Sequence, residues 1–130
     1  MEAQSDPRAL VIDYIKAVGQ KNFDYVAELL HPDVEFVTQG PTIRGVPAFV
    51  GALRRLAPII VRNDVHTTIV DGNDVVILYD FVTDTPAGAV RTMEWVTTDA
   101  GQIRTSRLIF HKEHWPQAVA ELARRTAPAN

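Results

Sequence analysis

The chain has no cysteine, which excludes disulfides, thiolate catalysis and cysteine-built zinc or iron–sulfur centres. It has no apolar run near the roughly 18 residues that a membrane-spanning helix needs. It has no block of basic residues either. The tight basic pairs, Arg54-Arg55 and Arg124-Arg125, fall in segments with helical spacing, where such pairs form solvated faces. With a net charge of −3, this argues against nucleic acid as a partner. The N-terminus, MEAQSDPRAL, lacks the basic-then-apolar order of a secretory signal, and the expected location is the cytoplasm. Repeats and low-complexity stretches are absent. So are a Gly-rich phosphate loop and a serine elbow, and no cofactor is expected. His31, His66, His111 and His114 show no spacing that would hold a metal in one helix or hairpin, and no metal site is expected.

What is present is an ordinary globular composition, 46% hydrophobic and 22% charged over 130 residues. That is enough for one domain with a real core, spanning residues 1–130. Ser5-Asp6-Pro7 supplies a capping oxygen followed by proline, a good helix start. Leu10, Val11, Tyr14, Ile15 and Val18 then recur at helical spacing, and Gly19 closes the helix. Asn22 caps a shorter helix with Phe23, Val26, Ala27 and Leu30 on its apolar face, ended by His31-Pro32. Val34 to Val37 reads as a short strand, Gln39-Gly40-Pro41 as a turn, and Val46 to Ala57 as a third helix stopped by Pro58.

From Ile59 the pattern changes to strands. Val65 to Val70, Val75 to Thr83, Val90 to Thr98 and Ile103 to His111 are separated by Asp71-Gly72-Asn73-Asp74, Thr85-Pro86-Ala87-Gly88 and Asp99-Ala100-Gly101, all turn-forming. Pro116 to Arg125 reads as a terminal helix. Helices followed by an antiparallel meander describe an α+β fold, a half-barrel with helices packed into a curved, mostly antiparallel sheet.

Both faces of the strand Val75 to Thr83 are partly apolar. Val75, Ile77, Tyr79 and Phe81 make one face; Val76, Leu78 and Val82 make the other, interrupted by Asp80. A sheet with one side in water alternates more cleanly, so the outer face needs a cover. Two covers are open: a second copy of the chain, making a homodimer, or the C-terminal helix folded back. Asp80 is placed to pair with Arg91 or Arg107 on neighbouring strands.

The order of elements resembles the nuclear transport factor 2-like superfamily, closest to its SnoaL-like and ketosteroid-isomerase-like branches. The stretches that carry the likeness are DYIKAVGQKNFDYVAELLHPDVEFV, TIRGVPAFVGALRRL, GNDVVILYDFVTDTPAG and EWVTTDAGQIRTSRLIF. The resemblance implies a cone of three N-terminal helices and a curved sheet, with a cavity for a mostly apolar small molecule. By position, Tyr14 matches the isomerases' first-helix tyrosine, which donates a hydrogen bond to the substrate oxygen. Glu94 falls where those isomerases keep a protonated aspartic acid, whose pKa an apolar site must raise. The general-base position is Thr38, whose hydroxyl cannot abstract a carbon-bound proton at neutral pH. The limonene-epoxide-hydrolase pattern of two carboxylates bridged by an arginine is also broken, by Leu108 and Thr92.

Glu94 therefore carries the functional question. Alternation alone makes Met93 and Trp95 the core face and sends Glu94 outward. The resemblance instead places Thr92, Glu94 and Val96 inside. The expectation taken forward is a cavity lined by Tyr14, Phe23, Thr38, Tyr79, Phe81, Thr83, Glu94, Ser106, Leu108 and Phe110. Tyr14 and Glu94 are the catalytic candidates, and the ligand is hydrophobic and oxygenated. The alternative is a non-catalytic binder with the same cavity.

Overall fold

A computed structural model describes residues 6–127. Helix α1, Pro7–Gly19, begins as its cap predicts: the Asp6 side chain accepts from the Arg8 amide. Ser5 lies outside the described residues. The predicted stripe of Leu10, Val11, Tyr14, Ile15 and Val18 is buried throughout. Asn22 caps α2, Phe23–Leu29, by accepting from the Tyr25 amide.

The strand that follows, β1 (Leu30–Val37), starts four residues earlier than the sequence pattern indicates and runs through His31-Pro32. Proline cannot donate to a strand ladder and is tolerated at edges and bulges. The register against the neighbouring strand does shift between Leu30 and Glu35. A two-residue strand β2, Ile43–Arg44, pairs antiparallel with β1; it is too short to leave a pattern in sequence. Helix α3, Val46–Leu56, ends in a 3-10 turn, Ala57–Ile59, that contains Pro58.

Four long strands complete the sheet: β3 (Ile60–Asp71), β4 (Asp74–Thr83), β5 (Ala89–Asp99) and β6 (Gln102–Phe110). The order across it is β2-β1-β6-β5-β4-β3, antiparallel except where β1 meets β6. Gly72, with φ of 62°, turns the chain between β3 and β4, a backbone geometry glycine adopts at little cost. The β3–β4 register shifts between Ile60 and Arg62 and again between Val65 and Thr67. Such bulges bend a strand and raise its twist, which curves the sheet around α1. The result is an α+β cone with an unclosed sheet, its core between the sheet's concave face and helices α1 to α3.

Helix α4, Trp115–Thr126, does not fold over the outer face of the sheet, so that rival cover is set aside. It packs against the 3-10 turn. Arg125 ties it there, donating to the Pro58 carbonyl at 2.9 Å and to Asp84 Oδ1 at 2.6 Å. The outer face keeps Met93, Trp95, Ile69 and Ile109 exposed. Around them Asp80 pairs with Arg91 at 2.6 Å and with His66 at 3.0 Å. Arg107 instead stacks over the Trp95 ring, 4.0 Å from its centroid.

Candidate active site

The burial of β5 alternates strictly from Ala89 to Val96, with Val90, Thr92, Glu94 and Val96 inward. Glu94 is 3% exposed. It lies opposite Ile77 of β4 on one side and Leu108 of β6 on the other, both of which share its face. Alternation in sequence points to Met93 and Trp95 as the core face; the neighbouring strands place that face outward and Glu94 inward.

A buried carboxyl needs partners, and three hydroxyls converge on this one. Tyr14 of α1 donates to Oε1 at 3.0 Å, Ser106 of β6 to the same oxygen at 2.5 Å, and Tyr79 of β4 to Oε2 at 2.5 Å. Three separate elements thus fix one side chain. None of the partners is charged. Burial pushes the Glu94 pKa above the ordinary carboxylate value; the hydrogen bonds from Ser106, Tyr79 and Tyr14 pull it back only in part. Tyr14 and Tyr79 are raised well above the usual phenol value, first by burial and then by the charge of Glu94.

Glu94 opens onto a cavity of about 80 Å³. The polar residues on its wall are Tyr14, Asn63, Tyr79, Thr92 and Glu94; the others are apolar, and no Lys, Arg or His lines it. Trp115 sits at the end where β6 finishes, its ring 6.2 Å from that of Phe81 and 5.0 Å from that of Phe110. Helix α4 thereby reaches the cavity through its first residue.

Of the residues singled out in sequence, Tyr14, Tyr79, Phe81, Glu94, Leu108 and Phe110 line this cavity. Four stand away from the wall. Ser106 is fully buried behind Glu94 and holds it. Phe23 is buried in α2, with the Arg54 guanidinium 5.3 Å from its ring centroid. Thr38 lies beyond the end of β1, half-buried, and its hydroxyl accepts from the Gly40 amide at 3.3 Å. Thr83 spends its hydroxyl on the β4–β5 turn, donating to the Gly88 carbonyl at 2.9 Å. Its inward alternation is right, but it sits at the strand's end, where the chain turns back. His66 faces outward, to Asp80. Asn63 and Trp115 were not singled out. Asn63 lies in a polar stretch of β3, Arg62-Asn63-Asp64, whose inward member only the pairing with β4 reveals.

The described residues contain no group of three or more His, Cys, Asp or Glu placed to hold a metal. No helix among them is long and apolar enough to cross a membrane. Chemically, the arrangement is a protonatable acid held rigidly by phenols in an apolar enclosure.

Such a cone is the nuclear transport factor 2-like architecture. The chain belongs to the SnoaL-like domain family, whose model matches residues 11–105. Three solved structures show how widely the fold is shared. A steroid delta-isomerase from Pseudomonas aeruginosa matches with a TM-score of 0.74 at 18% identity, over 98% of this chain and 96% of its own. A de novo designed protein with a curved β-sheet matches with a TM-score of 0.77 at 20% identity, over 95% and 98%. A protein of ketosteroid isomerase-like fold from Catenulispora acidiphila, solved in complex with trimethylamine, matches with a TM-score of 0.71 at 18% identity, over 85% and 92%. Among curated proteins nothing matches the sequence. At these identities the likeness is one of fold, and an enzyme and a designed chain share it alike.

Proposed function

We propose that this protein binds a hydrophobic, oxygenated small molecule inside the cone and acts on it by proton transfer through Glu94, without a cofactor. The observation that supports this reading is one buried carboxyl of raised pKa, held by Tyr14, Tyr79 and Ser106 and facing an apolar cavity with no cation. A carboxyl whose hold on its proton is strengthened by burial can give that proton to a ligand oxygen and take it back, which is general acid–base work. Tyr14 and Tyr79 keep the carboxyl in place and steady the negative charge that develops during transfer. The steroid delta-isomerase among the similar folds fits a ligand of this polarity.

A second reading, a binder that performs no chemistry, is favoured by Thr38. The position that would hold the general base by resemblance carries a hydroxyl and stands off the cavity wall. The two readings separate in one series of measurements. Steroids, terpenoids and polyketide-like aromatics are screened for a rise in the thermal midpoint, and each ligand found is then followed for chemical change. Glu94→Gln keeps the shape and removes the acid. Under the catalytic reading it lowers turnover by about 100-fold or more and leaves affinity within a few-fold. Tight binding with no product from the native chain establishes the binder.

The outer sheet face completes the proposal. Exposed Met93, Trp95, Ile69 and Ile109 make an apolar patch with charges of both signs beside it, and a second copy of the chain in a homodimer is the cover we assign to it.

A further inference from the structure

At about 80 Å³ the cavity is smaller than the roughly 150 Å³ of an apolar cavity that accepts benzene. It is far below the roughly 300 Å³ at which small-molecule sites begin. A ligand therefore has to displace part of the wall. Nearly all of that wall is scaffold, carried by α1, α3 and the strands β1 and β3 to β6, where movement breaks sheet pairing or the core. Trp115 is the exception, the residue that α4 contributes. Its ring rests against Phe110 and Phe81, 5.0 and 6.2 Å between centroids.

Helix α4 is lightly held. Of its residues Ala118 alone is buried, and Val119, on the same apolar stripe, is 46% exposed. The chain leaves the sheet at His111, whose amide donates to the Arg91 carbonyl at 2.9 Å, and residues 111–114 are exposed. Near the other end Arg125 is the anchor. It donates to the Pro58 carbonyl at 2.9 Å, to Asp84 Oδ1 at 2.6 Å and to the Asp84 carbonyl at 3.2 Å. Glu121 accepts from its Nε at 2.7 Å and steadies the guanidinium. The helix thus runs as a strap from the end of β6 to the 3-10 turn and the β4–β5 turn, with about 15 Å between Trp115 and Arg125 along its axis.

We propose that Trp115 is the gate of the cone and the residue that sets ligand size: a molecule larger than the closed cavity enters by displacing its ring as α4 pivots about residues 111–114. The inference rests on the reading of the cone as a small-molecule site and adds how that site is entered and what limits its occupant. Val90 lies opposite Phe81, and Glu94 four residues further along β5, about 13 Å of strand. A ligand that reaches Glu94 and fills the cone therefore meets Trp115 at its other end. The closed cone is the resting state, so the apparent affinity is that of the open cone reduced by the fraction of time it is open. Loosening the Arg125 anchor raises that fraction for every ligand. Removing the Trp115 ring also lengthens the space, which favours the longer ligand over the shorter.

The test uses two fluorescent probes that differ by one phenyl ring, 1-naphthylamine and N-phenyl-1-naphthylamine, with the native chain, Trp115→Ala and Arg125→Ala. Equilibrium titration gives the ratio of the two affinities, and stopped-flow mixing gives the rate of entry. Trp115→Ala is expected to shift the ratio about tenfold toward the larger probe. Arg125→Ala is expected to speed the entry of both probes by about fivefold and to leave the ratio as it was. Trp115→Leu serves the same purpose should the alanine variant not give a cooperative melt. A ring that only props up α4 would lower the melting temperature without moving the ratio. An unchanged ratio in the Trp115 variant, or entry rates unchanged in both variants, overturns the proposal and leaves the cavity reading standing. A probe that the native chain excludes and Trp115→Ala admits is the gate in its extreme form. Failure of both probes to bind the native chain and Trp115→Ala alike overturns the cavity reading and this inference with it.

Discussion

On the inner side of β5 stand Val90, Thr92, Glu94 and Val96; on the outer side stand Arg91, Met93, Trp95 and Thr97. The inner side holds a carboxyl sealed from water, and the outer side holds a tryptophan and a methionine that are 46% and 41% exposed. Each departs from the usual distribution, in opposite ways. The carboxyl is tolerated because three hydroxyls from α1, β4 and β6 meet its oxygens, so its burial costs less than that of a bare charge. The tryptophan is tolerated because it is partly clothed: its indole N–H donates to Asp74 Oδ1 at 3.1 Å and Arg107 lies over its ring. The inner exception is enclosed by the chain itself, and the outer one is left at the surface. A chain that organises three elements around one acid has fixed that acid's position closely. A surface aromatic with local partners is compatible with water and with a partner alike.

The contrast is sharpest for aliphatic residues on the two sides. Ile77 faces inward with no exposed surface, and Ile109 faces outward at 65% exposure. Ile77→Ala is expected to cost about 2–5 kcal/mol, and Ile109→Ala to stay within about 0.5 kcal/mol, both by urea denaturation of dilute protein. Similar costs at the two positions would mean that the outer face is covered even at low concentration. Gly19→Ala comes next, with an expected loss of about 1–3 kcal/mol. The added methyl meets the backbone of Asn63 and Arg62 at 2.5 and 3.2 Å, where no side chain can swing aside, so α1 must lift from the inner side of β3.

Glu94 gives the comparison a pH dependence. Its folded pKa is raised above its ordinary value, so between those two pH values the folded chain holds a proton that the unfolded chain has released. Stability then falls as pH rises through that interval and is recovered below it. Glu94→Gln has no such proton. The variant's melting temperature is expected to gain on the native chain by a few degrees between pH 4 and pH 8, and a constant difference across the range would count against a raised pKa. Asp80 on the outer side behaves in the opposite sense. Burial raises its pKa, but the hydrogen bonds from Arg91 and His66 outweigh that and hold it below the ordinary value.

These two carboxyls also show how far residues announce their own surroundings. The fold was legible because its signals are local. Asp6-Pro7 and Asn22 mark helix starts, and Gly72 marks a turn. Arg91 was legible as one of two candidate partners for Asp80, and the strand register, which sets Arg91 opposite it, decides between Arg91 and Arg107. The direction of Glu94 was not legible from its own strand, because Met93 and Trp95 are the more apolar neighbours; the resemblance supplied it. Asn63 was missed altogether. Its inward direction depends on bulges in β3 that shift the alternation, and its side-chain bond is to the Ile15 carbonyl of α1, 48 residues away in sequence. Phe23 and Thr83 failed in another way, since inward pointing places a residue in the core and not necessarily on a cavity.

The smallest effect on folding is expected at Trp95, where the comparison has most to teach about assembly. Arg107 over its ring contributes about 0.5–1 kcal/mol at an exposed site, and the bond to Asp74 is exposed as well. Trp95→Ser should therefore change the stability of dilute protein by about 1 kcal/mol or less. Its effect on association is expected to be much larger, because an aromatic at the centre of an apolar patch carries a disproportionate share of interface energy. Sedimentation velocity separates the two quantities. The native chain should run as a dimer at tens of micromolar and Trp95→Ser as a monomer with an unchanged melt. A native chain that stays monomeric at that concentration removes the second copy as the cover. Trp95 would then be a solvated residue held by Arg107 and Asp74, and the functional weight of the molecule would rest on the inner side of the sheet alone.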